Sequence, residues 1–548
     1  MSNFQFLQRD FPALYADAVE AEHFTFSSPK ASAIFCRSSL ENAINWLYDH
    51  ERTLSRPWRA DLSTLMHEHG FKSLFNNTLF NELNLIRKTG NLAAHGKSVS
   101  QQDALASLKY LFRFMRHLAI YYGKSVPDTQ IFNEALIPRA DADTVQPPSI
   151  ETTLAEVDTK NQSKRENEQQ IRDKAQHNPA IKQAIEQEQQ QLAERKVSRE
   201  QSVDISTAVP LLVSEAETRR RYIDLSLKEA GWDNLQDGYH LEYEVTGMPA
   251  STNKSGIGYI DYVLWGDDGL PLAVVEAKKT MYDARKGKHQ AELYANCLEK
   301  MKGQRPIIFY SNGFETYLWD DTFYPEREVQ GFYTKDELQL LIERRQTRKD
   351  LRLFKPNEAI VGRPYQLEAI TRVAENTVKE NSQGELKGRA RQSLLVMATG
   401  SGKTRTAAAF VDMLTKCNWA KRVLFLADRN ALVTQAKKAF NIHLPHLTAI
   451  DLTKEKEDKS TRLVFSTYPT IMNRIDGLRD TDNRFYGVGH FDLIIVDEAH
   501  RSVYQKYKSI FAYFDALLIG LTATPKAEVD HNTYGLFGIE DNNPTFAY

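Results

Sequence analysis

The sequence predicts a multidomain α/β protein with a helical amino-terminal module. A chain of 548 residues is too long for one hydrophobic core. Residues 1–135 carry apolar side chains at helical spacing, as in SAIFCRSSLENAINWLYDH. Strand-like and helix-like patterns alternate over residues 206–345 and again over residues 346–548. Such alternation is typical of α/β domains, so we expect two of them after the helical module.

Residues 136–205 differ in composition from both neighbours. The stretch AQHNPAIKQAIEQEQQQLAERKVSREQ is rich in Gln, Glu and Lys and poor in large apolar residues. We interpret it as a solvated helical linker, interrupted near Pro179, with no core of its own.

Composition limits the class of protein. Hydrophobic residues make up 41% and charged residues 26%, as in ordinary soluble proteins. No apolar run approaches the roughly 20 residues that cross a bilayer, and the amino terminus lacks a signal-peptide pattern. Cys36, Cys297 and Cys417 are too scattered for a metal site or a disulfide framework. We therefore expect a cytoplasmic protein. The net charge of −2 gives no global sign of nucleic-acid binding, although a local basic groove is enough.

The segment SLLVMATGSGKTRTAAAFV combines an apolar strand, a glycine-rich turn and a helix. Backbone N–H groups in such a turn surround phosphate oxygens, and the helix N-terminus favours negative charge. The predicted phosphate-binding residues are Gly400, Ser401, Gly402, Lys403 and Thr404. In this pattern the lysine reaches the β- and γ-phosphates and the threonine holds Mg²⁺.

Two later elements complete a nucleotide site. FDLIIVDEAH is a buried strand that delivers Asp497 and Glu498 at its carboxyl end, where ligands of α/β sheets bind. Asp497 is predicted to contact Mg²⁺, and Glu498 to orient and deprotonate the attacking water. LLIGLTATP ends in Thr522, Ala523 and Thr524.

These elements, in this order, resemble motifs I, II and III of the superfamily-2 (DEAD/DEAH) helicase-like motors. The resemblance implies a RecA-like lobe with a parallel sheet, in which Gln366 of RPYQLEAI reads adenine and the threonines of motif III, Thr522 and Thr524, couple ATP hydrolysis to movement. Arg429 and Thr467 lie in segments that resemble nucleic-acid contacts, although a core-strand interpretation stays open for both. Met397 replaces the first glycine of the loop pattern, a position that these motors commonly vary.

The resemblance also implies a second RecA-like lobe with an arginine finger. The sequence ends at FGIEDNNPTFAY before such a lobe. We therefore expect a fragment that binds ATP weakly and hydrolyses it poorly, since an arginine finger contributes about 10³–10⁵ in rate.

A second constellation lies in GIGYIDYVLWGDDGLPLAVVEAKKT, where two strand-like runs flank a polar turn. Glu276 and Lys278 share one face of their strand, and a hairpin brings Asp261 beside them. Converging carboxylates are costly to bury unless they are paired or metal-bound. Asp261 and Glu276 are therefore candidate Mg²⁺ ligands, and Lys278 a candidate activator of the attacking water. A structural ion pair at a strand end is the alternative.

This pattern resembles the PD-(D/E)xK nuclease core. The resemblance implies that Glu217, on the preceding amphipathic helix, is the upstream acidic residue of the site. Gln290 and Tyr294 match the QxxxY element of some of these nucleases and are candidates for positioning DNA, with plain helix packing as the alternative.

SSLENAINWLYDH and LIRKTGNLAAHG resemble a helical module of the HEPN/DUF4145 type found in phage-defence and nucleotide-related proteins. The residues that carry the likeness are Arg37, Glu41, Arg87, Asn91 and His95. The last three lie four apart on one helical face. In HEPN ribonucleases Arg and His act on RNA, whereas a buried hydrogen-bond network or a docking surface is the structural alternative here.

The order of helical module, nuclease and motor resembles the R subunit of type I restriction–modification enzymes (the HsdR family) of bacteria and archaea. Type III subunits place the nuclease after the motor. The resemblance implies ATP and Mg²⁺ as cofactors, double-stranded DNA and the modification (M) and specificity (S) subunits as partners, and no membrane. Two alternatives stay open: a helicase or repair motor with an inert nuclease-like domain, and a non-enzymatic ATP-responsive defence scaffold.

Overall fold

The computed structural model describes most of the chain. The described residues are 2–57, 62–128, 131–139, 149, 151–163, 179–203, 215–277, 284–313, 315–476, 486–497, 503–523, 533–539 and 543–548. Among them, no helix is both long and apolar enough to cross a membrane. The chain divides into two compact units, one built from residues 1–225 and the other from residues 226–475 and 484–548.

The first unit is helical, as the apolar spacing predicts. Its helices are α1 (Pro12–His23), α2 (Pro29–His50), α3 (Leu62–His67), α4 (His69–Lys72), α5 (Asn77–Ala94), α6 (Gln101–Tyr122) and α7 (Pro179–Ser202). Local sequence fixes their starts: Pro29 opens α2, the Asn76 side chain caps α5, and Ser100 and Asp103 form a capping box on α6. Helices α2, α5 and α6 pack on one another around a shared apolar core.

The described part of residues 136–205, predicted to be a solvated helical linker, is largely exposed but contributes a few buried apolar side chains. Leu154 and Val157, in a helical stretch over 151–163, and Leu192 of α7 are buried in the core of the first unit. The Arg195 guanidinium donates to the Tyr122 carbonyl at 2.8 Å. Leu192 is buried whereas Val197 of the same helix is 53% exposed, so single apolar contacts rather than a continuous stripe dock this polar segment.

Helix α8 (Glu215–Glu229) runs across the division between the two units, and the second unit then builds a mixed sheet. The strands are β1 (Leu241–Thr246), β2 (Ile257–Trp265), β3 (Pro271–Ala277), β4 (Ile307–Ser311), β5 (Thr316–Trp319) and β6 (Arg327–Val329), hydrogen-bonded in chain order. Only the β3–β4 pair is parallel, because α9 (Ala284–Lys302) crosses over between these strands. Helix α9 covers the sheet through Ala291, Tyr294 and Leu298.

A second sheet in the same unit is parallel. Its strands are β9 (Gln392–Val396), β10 (Val423–Ala427), β11 (Ala449–Asp451), β12 (Leu463–Thr467), β13 (Leu493–Asp497), β14 (Leu517–Thr522) and β15 (Phe546–Ala547), in the order β11-β12-β10-β13-β14-β9-β15. The short hairpin of β7 (Val378–Glu380) and β8 (Leu386–Gly388) stands apart from it. The predicted α/β class with a parallel sheet is confirmed.

Helices enclose the parallel sheet. They are α11 (Pro364–Thr377), α12 (Lys403–Lys416), α13 (Asn430–His443), α14 (Tyr468–Asp476), α15 (Val503–Tyr513) and α16 (Thr533–Leu536), and the preceding α10 (Lys335–Thr347) packs on β3 of the mixed sheet. Alternate strand residues face two separate apolar layers, Phe425 and Ile495 in one and Leu424 and Ile494 in the other. Burial on both faces explains why these strands read as continuous apolar runs.

Candidate functional site

The glycine-rich turn joins β9 to α12. Gly400 and Gly402 have φ angles of +80° and +92°, in the left-handed region that glycine adopts without a steric cost. Gly402 is the N-cap of α12, and Lys403 and Thr404 are the first two residues of that helix. The turn therefore directs backbone N–H groups and a helix N-terminus to the same point, as phosphate binding requires.

Two neighbouring side chains of α11 hold this turn. The Gln366 amide donates from Nε2 to the Ser401 carbonyl at 3.1 Å, and the Tyr365 hydroxyl donates to the same oxygen at 2.8 Å. The Tyr365 ring stacks on Tyr548, with ring centroids 3.9 Å apart. Tyr365 was not among the residues predicted from the sequence. An aromatic residue directly before Gln366, at a helix start set by Pro364, is the signal that could have revealed it.

The two strands that carry the other predicted ATP-site residues, β13 and β14, lie on one side of β9. Asp497 ends β13 and pairs with Leu521 of β14, while Thr522 pairs with Val396 of β9. The carboxyl ends of β13, β14 and β9 are thus adjacent, with Thr522 between Asp497 and the glycine turn. The two other predicted residues of these segments, Glu498 and Thr524, lie outside the described residues.

The two candidate DNA contacts of this sheet differ in exposure. The Arg429 side chain, at the N-cap of α13, is 71% exposed and lies 3.9 Å from the Asp428 carboxylate. Thr467 is buried, and its hydroxyl lies 3.0 Å from that of Thr470. The geometry leaves Arg429 accessible to a ligand and favours the core alternative for Thr467.

The candidate nuclease residues lie on the hairpin of β2 and β3. Tyr262 pairs with Val275 in this antiparallel hairpin. The residue before Tyr262, Asp261, therefore lies opposite the residue after Val275, Glu276. Glu276 is buried, and an Asp261 carboxylate oxygen accepts the Ala277 N–H at 2.6 Å. The structure therefore brings the two carboxylates together at the end of β3. Lys278 lies outside the described residues.

Helix α9 adds two polar groups to this corner. The Gln290 amide donates to the Tyr294 hydroxyl at 2.9 Å. Burial raises the pKa of Tyr294, and the nearby carboxylates of Glu276 and Asp261 raise it further. Tyr294 also packs closely over Gly258, where an added Cβ would lie 2.7 Å from the ring. Tyr294 therefore both fills the core and lies near the two carboxylates.

Glu217, the predicted upstream acidic residue, lies on α8. Its half-exposed carboxylate accepts a hydrogen bond from Arg221 one turn later, at 2.8 Å. That intrahelical ion pair was not foreseen in the sequence.

In the first unit, the residues of the helical likeness lie mostly inside. Arg37 and Asn91 are buried, and an Arg37 nitrogen lies 3.7 Å from the Glu41 carboxylate. Arg87 donates to the Asn84 side chain at 3.4 Å, and His95 is the C-cap of α5. This burial is what the alternative of an internal network predicts.

Neither candidate metal position depends on a dense ligand cluster. Among the described residues, no group of three or more His, Cys, Asp and Glu side chains is arranged to hold a metal ion. Mg²⁺ is commonly bound by only one or two carboxylates, with water and substrate phosphates as its other ligands. The Asp261–Glu276 pair fits that oxygen-only donor set, and so does Asp497 together with Thr404.

A glycine turn between a buried parallel strand and a helix, with an aspartate at the end of a strand two positions away, is the arrangement of P-loop α/β proteins. Comparison with known proteins agrees with this class. Residues 359–527 match the family described as type III restriction enzyme, res subunit, and residues 143–327 match the type I restriction enzyme R protein N terminus. Residues 19–133 match a domain of unknown function, DUF4145.

Curated relatives specify the likeness further. The chain is 31% identical to the EcoAI type I restriction enzyme endonuclease subunit of Escherichia coli, over 61% of this chain and 42% of the relative. It is 25% identical to the EcoKI endonuclease subunit of Escherichia coli K12, over 100% of this chain and 54% of the relative. The chain is therefore similar to type I restriction enzyme endonuclease subunits of the HsdR kind, and it spans about half the length of these two relatives.

Solved structures were also compared. A fragment assigned as an HsdR subunit of a type I restriction enzyme from Vibrio vulnificus shares 29% identity, over 61% of this chain and 59% of that one, with a TM-score of 0.26.

Proposed function

We propose that the chain is the motor and endonuclease portion of a type I restriction enzyme, which couples ATP hydrolysis to DNA translocation and to Mg²⁺-dependent double-strand cleavage. The observation that carries the proposal is the presence of two separate sites in one HsdR-like chain. A phosphate-binding turn lies on the parallel sheet, and a facing pair of carboxylates lies on the mixed sheet.

The parallel sheet is proposed to bind and hydrolyse ATP. Backbone N–H groups from Gly400 to Gly402 and the start of α12 surround the phosphates, and Lys403 neutralises the β- and γ-phosphate charge. Thr404 and Asp497 hold Mg²⁺, which offsets the negative charge that develops on the phosphates. Glu498 takes the proton of the attacking water, and Gln366 is assigned to adenine.

Thr522 suits a coupling role because it ends the strand between the ATP-site strands, and Thr524 is assigned with it. Arg429 is the candidate contact to DNA on this sheet, since its guanidinium is exposed and a phosphate backbone is bound by accessible cations.

The mixed sheet is proposed to cut DNA as a PD-(D/E)xK nuclease. Asp261 and Glu276 hold Mg²⁺, which polarises the scissile phosphate when bound. Lys278 positions and activates the water that attacks phosphorus, with Glu217 as the upstream acidic residue. Gln290 and Tyr294 position the DNA. Double-stranded DNA and the modification and specificity subunits are the proposed partners.

The experiment measures plasmid cleavage and phosphate release in parallel, on the full-length subunit assembled with its modification and specificity subunits. Lys403→Ala is expected to lower ATP hydrolysis by roughly 100-fold or more, since a group that stabilises charge in the transition state is lost. Asp261→Asn, Glu276→Gln and Lys278→Ala are expected to abolish cleavage while ATP hydrolysis stays at the wild-type rate. Mn²⁺ is expected to rescue the carboxylate variants in part, but not the lysine variant.

Asp267→Asn is the matched control, because Asp267 lies in the turn of the same hairpin with its side chain 89% exposed. It is expected to cut like the wild type. Cleavage that survives in all three nuclease variants would show that the hairpin is structural, which is the inert-nuclease alternative. Normal ATP hydrolysis by Lys403→Ala would refute the motor assignment.

A further inference from the structure

A cavity of about 250 Å³ lies inside the second unit, at the edge where α10 meets the parallel sheet. Its lining includes four residues that lie one or two positions before the starts of β9, β10, β13 and β14. They are Arg391, Arg422, Asp492 and Asp515, respectively. Because these strands are parallel, the cavity lies at their amino ends, whereas the glycine turn follows the carboxyl end of β9. The strands are five or six residues long, so about 17–20 Å of sheet separates the two places. The cavity is therefore distinct from the proposed ATP site.

Arginine and carboxylate side chains share the polar wall of this cavity. The buried nitrogen atoms that lack a hydrogen-bond partner within the described part of the chain are Arg327 Nη1, Arg344 Nε and Nη2, and Arg348 Nε and Nη1. The Tyr324 hydroxyl is in the same condition. The Arg344 side chain is only 3% exposed. No side-chain carboxylate or amide oxygen of the lining shares this condition within the described residues, so the unmet demand of these side chains is for acceptors.

Two carboxylates of the lining, those of Asp515 and Asp492, already accept several hydrogen bonds. Asp515 accepts from both Nε and Nη2 of Arg327, at 2.8 and 2.6 Å, and from Arg391 at 2.8 Å. Asp492 accepts from Arg344 Nη1 at 2.6 Å and from the backbone N–H groups of Lys421 and Arg422. Among the nitrogens of Arg344, only Nη1 is thus bonded to one of these two acids. The single carboxylate of Asp515 is shared by two guanidinium groups.

Burial raises the pKa of Glu337 to about 7, so this lining carboxyl balances positive charge only in part near neutral pH. Asp320, a further lining acid, accepts from Arg345 and from the Thr322 hydroxyl.

Arg348 is the most exceptional cation of the set. Its guanidinium packs over the rings of Phe323 and Trp419, at 4.2 and 5.3 Å from their centroids. Burial, together with the charge of Arg344, lowers the pKa of Arg348 to about 10. A half-buried guanidinium held between aromatic rings and beside other cations is costly unless an anion compensates for it.

We propose that this cavity binds a small oxyanion of the phosphate class, held by the guanidinium groups of Arg327, Arg344 and Arg348 and by the Tyr324 hydroxyl. Planar guanidinium forks match the oxygens of a phosphate group, and these oxygens supply the charge-assisted acceptors that the buried donors lack. The volume has room for a phosphate group with a small substituent, so the ligand is either inorganic phosphate or a small phosphate monoester.

The test is isothermal titration of the chain with inorganic phosphate and, in a second arm, with glycerol 1-phosphate. Both are run in the Lys403→Ala background, which removes the phosphate-binding lysine of the glycine turn. Saturable binding is expected to persist there, and Arg348→Gln is expected to weaken it at least ~10-fold, since a charge-assisted hydrogen-bonding group is lost. Arg372→Gln, which removes an exposed arginine of α11, is the matched control and is expected to change nothing.

Binding that disappears in Lys403→Ala alone, or that Arg348→Gln leaves unchanged, would overturn the proposal. The ligand that binds more tightly, inorganic phosphate or glycerol 1-phosphate, identifies the source of the phosphate group. Either result supports the site. If Arg348→Gln does not fold, Arg348→Lys and Tyr324→Phe decide the matter. The first keeps the charge without the fork, and the second keeps the ring under Arg327 and Arg391 without the hydroxyl. Each is expected to weaken binding, and unchanged affinity in both would refute the site. The outcome does not depend on ATP hydrolysis or DNA cleavage.

Discussion

Replacing Asp515 with asparagine is expected to destabilise the second unit by about 3 kcal/mol. Asp515 is 8% exposed and balances two guanidinium groups, those of Arg327 and Arg391. Asparagine keeps the side-chain volume but removes the negative charge, so both guanidinium groups lose the carboxylate that balances them. Removing one partner of a buried ion pair costs about 3–5 kcal/mol. The partial exposure of the two arginine side chains, 17% and 22%, puts the expectation at the lower end of that range.

The effect also has a defined pH dependence. Burial opposes ionisation of Asp515, but the charges of Arg327 and Arg391 outweigh it and hold the pKa of Asp515 well below its ordinary value. The stability that this carboxylate contributes is therefore present above the unfolded-state pKa of about 3.9 and is lost as pH falls through the folded-state pKa. The difference between wild type and Asp515→Asn should be full at pH 7 and shrink below about pH 4.

The assay is hydrogen exchange at increasing urea concentration, read by mass spectrometry on separate peptides, so that each unit reports its own unfolding. Peptides covering β9 and β14 should lose protection at lower urea, and peptides from α2 and α6 should not. Asp267→Asn is the matched control, because Asp267 forms an equally short ion pair with Lys335, 2.7 Å, at an exposed position. Exposed pairs contribute about 0–1 kcal/mol. A shift for Asp515→Asn no larger than that of the control would refute the reasoning.

Two further predictions concern glycines. Gly402→Ala places a Cβ 2.6 Å from Gln366 Nε2 at a φ of +92°, and it should weaken binding of a fluorescent ATP analogue about tenfold. Gly384→Ala is the control, since it has a similar positive φ with no atom within 4 Å of the added Cβ, and equal losses in the two variants would contradict a local effect. Gly90→Ala places a Cβ 2.5 Å from the Arg37 Cβ and should destabilise the first unit by about 1–3 kcal/mol despite the better helix propensity of alanine. The urea midpoint of α2 and α5 peptides measures this, with Gly70→Ala as the unhindered control, and an unchanged midpoint would show that the two helices separate easily.

The sequence could predict those parts of the fold that depend on local pattern. The apolar runs ending at Val396, Asp497 and Thr522 are strands of one parallel sheet, and the glycine turn lies where a strand meets a helix. The polar turn between β2 and β3 likewise makes a hairpin, so that Asp261 faces Glu276. In each case the residues are close in sequence or their places are set by strand direction, and periodicity carries that information.

Tertiary contacts of the polar segments could not be predicted from composition. The segment around α7 was predicted to be solvated because its composition is polar, yet Leu192 is buried in the first unit and Lys196 forms a 3.0 Å ion pair with Glu51. Single apolar contacts dock this helix, and mean composition does not reveal them. The role of Glu217 was inferred from its place before the hairpin and stays a prediction, and its ion pair with Arg221 on its own helix could not be assigned from that place alone.

The arginine-lined cavity could not have been found from the sequence at all. Arg327 and Asp515 are 188 residues apart, and Arg344 and Asp492 are 148 apart, so no motif spacing links them. In the sequence, RRQTRKDLRLFK reads as an ordinary basic, solvated run. In the fold, α10 begins with the capping box of Thr334 and Glu337. Arg344 and Arg348 at its other end then line the cavity beside the strand starts. The partners of these arginines belong to strands that are distant in the sequence. The excess of guanidinium donors over acceptors is therefore visible only when each hydrogen bond of the folded chain is assigned.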